Sequence, residues 1–413
     1  MKKRPLYIAI SILVFLLIGG LIGLVIFINY QQRTQPDTTQ DLGYFGGGGG
    51  GSSSGGGLFG GLFGGTGSTN DSVSMGSAAK TAEPTLRQLY NLPISGFTKR
   101  QGDAVRFVDR ATGHIFEKTL PDGATTRINQ TTVPRVHNAV FVNDGTAVIR
   151  QYVDASERIA SVYTRISSSE PGEPFPGSIR DVTVSPDGDQ IAILEETSAG
   201  SILHIAAQDG SSQQTLFESL LRNWNIQWAG DTILISQKAS GSLVGSAFTI
   251  NVSSGVQRLV LQQLTGLSAL LSPDGAHVLY STTKNGVPVL SVKNLSTGVA
   301  TVLTGATLAE KCVWHPEKFF VYCAFPDQLP NVSYPDAWYR GEVHFTDSIF
   351  RINIESGQTE YVFSPSSTSG TSLDIKSLAL HADGSVLFFI NATDQTLWSL
   401  TLSEVTETGE GIE

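Results

Sequence analysis

Cysteine is nearly missing from this chain: 413 residues contain only Cys312 and Cys323. That excludes a disulfide-dense framework and a structural zinc site built from four thiolates. Charge is sparse too, at 15% Asp, Glu, Lys and Arg, and it leans acidic, to a formal net charge of −10. No cluster of Lys or Arg follows the first four residues. An acidic surface repels phosphate, so no nucleic-acid partner is expected. The seven histidines (114, 137, 204, 277, 315, 344 and 381) are scattered, and none has the H-x-x-x-H or H-E-x-x-H spacing of a helical metal site. No catalytic residue, cofactor or metal is therefore assigned, and the question of an enzymatic role stays open.

One stretch lacks charge altogether. Leu6–Tyr30 runs for 25 residues without a charged side chain, and a membrane helix needs about 20. Lys2, Lys3 and Arg4 precede it, whereas Gln31–Asp41 carries one Arg and two Asp. The positive-inside rule puts the N-terminus in the cytoplasm and everything after Tyr30 outside. A cleaved signal peptide has an apolar core of about 7–15 residues and a small-residue cleavage site. This run is longer and ends in Phe27-Ile28-Asn29-Tyr30. Residues 1–30 are thus expected to be a cytoplasmic stub and an uncleaved single-pass anchor in the cell membrane.

Residues 31–83 show no apolar periodicity, and Tyr44–Ser68 is almost entirely Gly, Ser, Leu and Phe. Such a segment cannot bury enough surface to fold and is expected to be a flexible linker. A Gly/Ser chain of about 50 residues has an end-to-end distance of roughly 40 Å. The repeated Leu-Phe-Gly-Gly at 58–61 and 62–65 is the sharper alternative, a docking motif within the spacer. Gly51–Gly55 matches the G-x-S-x-G nucleophile pattern but lacks the strand-to-helix turn that pattern requires.

Beyond Pro84 the pattern is strand, tight turn, strand, with hardly any helical period. Segments 139–151, 182–194, 226–237, 269–281, 312–324 and 378–390 each place an apolar strand, a polar turn and a second apolar strand in register. The turn acids are Asp103, Asp144, Asp187, Asp231, Asp274, Glu317 and Asp383, at intervals of 41, 43, 44, 43, 43 and 66. A regular interval broken once is a repeat with one insertion. Each unit continues into a further hairpin, as in 204–217, 248–261, 289–303 and 349–363. Four antiparallel strands in about 40–45 residues is the arithmetic of a β-propeller. The expected fold is all-β: about seven four-stranded blades over residues 84–403, preceded by the membrane helix and a disordered Gly-rich linker, and followed by a disordered tail at 404–413. The last blade has only three strands of its own, so Thr85–Leu92 is expected to supply its outer strand and latch the ring.

Ser-Pro-Asp-Gly stands intact between first and second strands at Ser185–Gly188 and Ser272–Gly275, with degenerate forms at Asn143–Gly145, His315–Glu317 and Ala382–Gly384. On those turns residues 97–403 resemble the TolB-like, WD40-like propeller repeats. The resemblance implies the fold and leaves function open, because these propellers host binding, scaffolding and catalysis alike. Enzymatic members carry a separate hydrolase domain, for which Ser403–Glu413 is too short.

Two surfaces stand out. Six residues before the turn acids lie Asn138, Asp181, Asn225, Ser268, Lys311 and Ser377, with Phe97 the exception in the first unit. Positions five and three before the acid are apolar, including Trp228 and Trp314. Each innermost strand should therefore begin polar at the mouth of the central channel and then enter the core. The second surface is the insertion, 326–347, rich in Pro and containing Tyr334, Trp338, Tyr339 and Arg340. Trp, Tyr and Arg are enriched at binding hot spots, so these four are the candidate partner-binding residues; the alternative is a loop that folds back on its blade. With Glu317-Lys318 as a two-residue turn, Cys312 and Cys323 lie opposite each other, within about 5.5 Å, as a hydrogen-bonded pair; a bridge and two free thiols both stay open. The expected function is binding or scaffolding of a protein or envelope partner. The alternative is an envelope enzyme acting on a sugar or peptide with carboxylates in the channel.

Overall fold

The computed structural model describes residues 83–402 except positions 101, 171 and 176. The membrane helix, the linker and the tail expected from the sequence lie outside these residues. Among the described residues the strands assemble into seven four-stranded antiparallel sheets, the blades of a propeller. Blade 1 spans Ile94–Asn129, blade 2 Val136–Pro174, blade 3 Ile179–Ser219, blade 4 Trp224–Thr265, blade 5 Ser268–Val302 and blade 6 Cys312–Phe363. Blade 7 combines Ile375–Leu380, Val386–Asn391 and Leu397–Thr401 with Thr85–Tyr90 from the other end of the domain. In that latch Thr85 faces Thr401 and Gln88 faces Trp398.

The period of two along each strand puts alternate side chains on opposite faces, and every blade face meets a neighbouring blade. The buried apolar residues accordingly form seven clusters, one for each blade interface. Most of the positions expected to enter the core do so, while Val184, Trp228, Ala269 and Leu378 are only partly buried and pack against the clusters. Val182, Ile226, Leu271, Cys312, Trp314 and Leu380 are all at most 9% exposed.

The Ser-Pro-Asp-Gly turn has a specific physical basis. Ser185 donates its hydroxyl to the Asp187 carboxylate and accepts the Gln190 N–H at 2.9 Å, while Asp187 accepts the Asp189 N–H at 3.1 Å. Gly188 takes φ 80°, which glycine adopts without steric cost. Ser272 and Asp274 repeat the network. In blade 6 a histidine stands in the serine position: His315 Nδ1 accepts the Glu317 and Lys318 N–H groups at 3.1 and 3.0 Å.

Cys312 and Cys323 are bridged, with Cα atoms 4.0 Å apart. The register is the expected one, but the hydrogen-bond phase is not. His315 N–H bonds the Phe320 carbonyl, so the turn is a four-residue loop, Pro316–Phe319. That moves the narrow pairs by one residue and makes the cysteines a non-hydrogen-bonded pair, where side chains approach most closely.

Candidate functional site

The innermost strand of a blade has one edge facing the channel with no strand to pair. Side chains from adjoining blades satisfy parts of that edge. Ser95 Oγ donates to the Val136 carbonyl at 2.7 Å, and Gln151 Nε2 to the Ile179 carbonyl at 3.1 Å. Asp181 Oδ2 accepts the Ile226 N–H at 3.0 Å, and Gln227 Oε1 accepts the Leu271 N–H at 2.7 Å. Asp347 Oδ2 accepts the Ile375 N–H at 2.6 Å, and Lys99 Nζ donates to the Leu380 carbonyl at 2.7 Å. The polar column therefore splits. Asp181 is an inter-blade clasp, and burial raises its carboxyl to about 6. Asn138 bonds Gln151 at 2.8 Å. Ser268 and Lys311 are buried, and only Asn225 and Ser377 stand exposed. Asn138, Phe97 and Ser377 do meet, lining a cavity of about 390 Å³ where blades 7, 1 and 2 converge.

The insertion leaves blade 6 after Phe320–Pro326 and returns at Asp347–Asn353. It forms a short helix, Asp336–Tyr339, and lies across its neighbours. Thr283 of blade 5 donates to the Tyr334 carbonyl at 2.9 Å, and Gly241 N–H of blade 4 donates to Asp336 Oδ2 at 2.5 Å. A Cβ on Gly241 would sit 2.3 Å from the Tyr334 oxygen, so only glycine admits this approach.

Beneath the insertion lies a closed ionic cluster. Lys311 has no exposed side-chain surface and contacts Asp347 Oδ2 at 2.7 Å and Asp374 Oδ1 at 2.8 Å, both carboxylates equally buried. Trp338 and Phe345 cover it, with the ammonium 4.8 and 4.7 Å from their ring centroids. Such cation–π contacts strengthen where water is excluded. Trp338 also donates its indole N–H to Asp374 Oδ2 at 2.9 Å. The Tyr339 hydroxyl donates to the Glu310 carboxylate. Burial holds Glu310 and Tyr339 above their ordinary ranges, and it raises Asp347 to about 6 although Lys311 pulls the other way.

Of the four candidate binding residues, the structure thus turns three inward. Tyr334 is 1% exposed, its hydroxyl bonded to the Pro330 carbonyl at 2.6 Å. Trp338 and Tyr339 commit their polar atoms to Asp374 and Glu310. Arg340 alone points out, paired with Glu342 at 2.6 Å. The partners of this cluster, Asp347, Asp374, Glu310 and Phe345, escaped sequence reasoning because they come from three separate segments with no common spacing. Lys311, the only cation in its polar column, was the available signal. Among the described residues no three His, Cys, Asp or Glu side chains converge as a metal site.

No protein-family model matches the chain, and no curated protein matches it. Among solved structures it is similar to an oligogalacturonate lyase in complex with manganese, with a TM-score of 0.52 and 13% identity over 79% of this chain and 95% of that one. At that identity the likeness is one of fold: a β-propeller.

Proposed function

We propose that the protein is a membrane-anchored, extracytoplasmic propeller of the TolB-like, WD40-like kind that acts as a binding scaffold through the face carrying the insertion. One observation carries the reading. The ionisable groups enclosed beneath the insertion are spent on one another, as Lys311 with Asp347 and Asp374, and Glu310 with Tyr339. Groups so enclosed stabilise a rigid face and do not line an open pocket. The anchor rests on the uncharged run Leu6–Tyr30, and the family reading on the shared hydrogen-bond network of the two intact turns. The partner is read as a protein or another envelope component.

The test is crosslinking with mass spectrometry in intact cells, alongside carbonate washing of membranes. Crosslinks to a partner should come from the insertion face of carbonate-resistant protein. A soluble form starting near residue 31, or crosslinks confined to the opposite face, contradicts the reading.

A second reading, an envelope enzyme acting on a sugar or peptide, draws on Asp347. Its carboxyl is raised to about 6, and its Oδ1 has no hydrogen-bond partner in the structure, as suits a general acid. The similar lyase adds only its name. Trp338 and Phe345 would have to lift before substrate reached this group. Cleavage of an oligosaccharide by the purified chain, lost in Asp347→Asn, would favour this reading over the first.

A further inference from the structure

Blade 4 sends two loops toward the insertion, 220–223 before its first strand and 238–243 between its second and third. They expose four aliphatic side chains: Leu220 at 89%, Leu221 at 54%, Leu243 at 69% and Val244, at the edge of the second loop, at 61%. A cleft of about 400 Å³ opens between these loops and Asp336–Arg340 of the insertion, lined by Leu243, Val244 and Leu267 together with Arg222, Lys238 and Arg340. The acids beside it are already engaged. Asp336 takes the Gly241 N–H, and Glu342 pairs with Arg340. Arg222 makes no ion pair among the described residues, and Lys238, 5.2 Å over the Tyr339 ring, acts on the buried Glu310 carboxyl only through its charge, with no contact. In a chain of net charge −10, two cations with no carboxylate in contact, beside exposed aliphatics, are a local exception.

We propose that this cleft docks a protein segment in which an aliphatic or aromatic side chain is flanked by carboxylates. The apolar side chain meets Leu243, Val244 and Leu267, and the carboxylates meet Arg222 and Lys238. Charge complementarity selects an acidic segment, and removing the aliphatics from water adds a favourable apolar contribution. A concave cleft favours a segment over a bilayer, and the acidic remainder of the surface repels anionic lipid. The proposal rests on the binding reading above and names the chemistry of its partner.

The test uses the full chain in phosphatidylcholine nanodiscs and two fluorescein-labelled peptides, Ser-Asp-Glu-Leu-Phe-Glu-Asp-Ser and its counterpart with Lys at every acidic position. Fluorescence anisotropy should show saturable binding of the acidic peptide alone. Binding should weaken at least tenfold in Arg222→Glu/Lys238→Glu and in Leu243→Asp, with unchanged melting, and should persist in Val299→Asp on the opposite face. The proposal is overturned by no saturable binding, by binding that ignores these variants, or by binding to phosphatidylserine vesicles in place of the peptide. In-cell crosslinks that still map to the insertion face alongside any of those results would sink this proposal and spare the scaffold reading. Their absence would remove both.

Discussion

Lys311 is held by two carboxylates and two aromatic rings: Trp338 and Phe345 come from the insertion, Asp347 from the start of the strand that follows it, and Asp374 from the residue before the first strand of blade 7. Removing one member of a buried ion pair leaves charge with no water and no partner, at a cost of about 3–5 kcal/mol. Lys311→Met should lower the unfolding free energy by that order at pH 7.5 in urea titrations. The loss should shrink at pH 5, where the Asp347 carboxyl, already raised to about 6, takes up a proton; a loss independent of pH contradicts the assignment. Asp181 tests the clasps. Its folded carboxyl, at about 6, lies above the ordinary aspartate value, so between those values the folded state holds a proton that the unfolded chain releases. Acidification from pH 7 to 5 therefore adds stability, which is lost again as pH rises through 6. The melting gain over that window should be smaller in Asp181→Asn than in the parent protein. Asp347, His137 and His315 also titrate abnormally, the histidines with the opposite sign, but they are common to both proteins and cancel in the comparison. Asp383 behaves oppositely to Asp181: hydrogen bonds from Ser385, first of all, draw it down to about 2, so its contribution disappears only in strong acid.

Among the elements, the latch and the bridged hairpin govern cohesion. Thr85–Tyr90 covers the edge of Leu397–Thr401 and carries Leu89, 4% exposed, into the interface of blades 7 and 1. Deleting residues 84–93 should lower the melting midpoint sharply and promote aggregation through the freed edge; a truncation that melts like the intact domain rules the latch out. The hairpin of blade 6 should show no free thiol when the protein is unfolded without reductant, and reduction should cost about 2–3 kcal/mol for so short a loop. Two titratable thiols would contradict the bridge. The strands, their grouping and the latch were legible because period two and the 43-residue interval are local signals repeated along the chain. The phase of the Cys312–Cys323 pair was not, because it depends on the true length of the turn, and His315 alters that turn by accepting two backbone N–H groups. The inward turn of Trp338 and Tyr339 was hidden for a different reason: their partners, Asp374 and Glu310, lie 36 and 29 residues away.

At the scale of the whole molecule, seven apolar interfaces make a rigid ring, and one insertion ties blade 6 to blades 4, 5 and 7 on a single face. The inner side of that insertion packs on the buried cluster, and its outer side is the one proposed to bind. Trp338 and Arg340, two residues apart, sit on the two sides and separate the roles. The deciding measurement compares Trp338→Ala with Arg340→Ala for both urea unfolding and partner crosslinking in cells. Trp338→Ala, at a partly buried site, should lose a large part of the ~3–5 kcal/mol that a fully buried aromatic costs. Arg340→Ala should stay within about 0.5 kcal/mol of the parent and lose most of its crosslinked partner. A stable Trp338→Ala that loses the partner, with Arg340→Ala unchanged in both respects, would contradict the account.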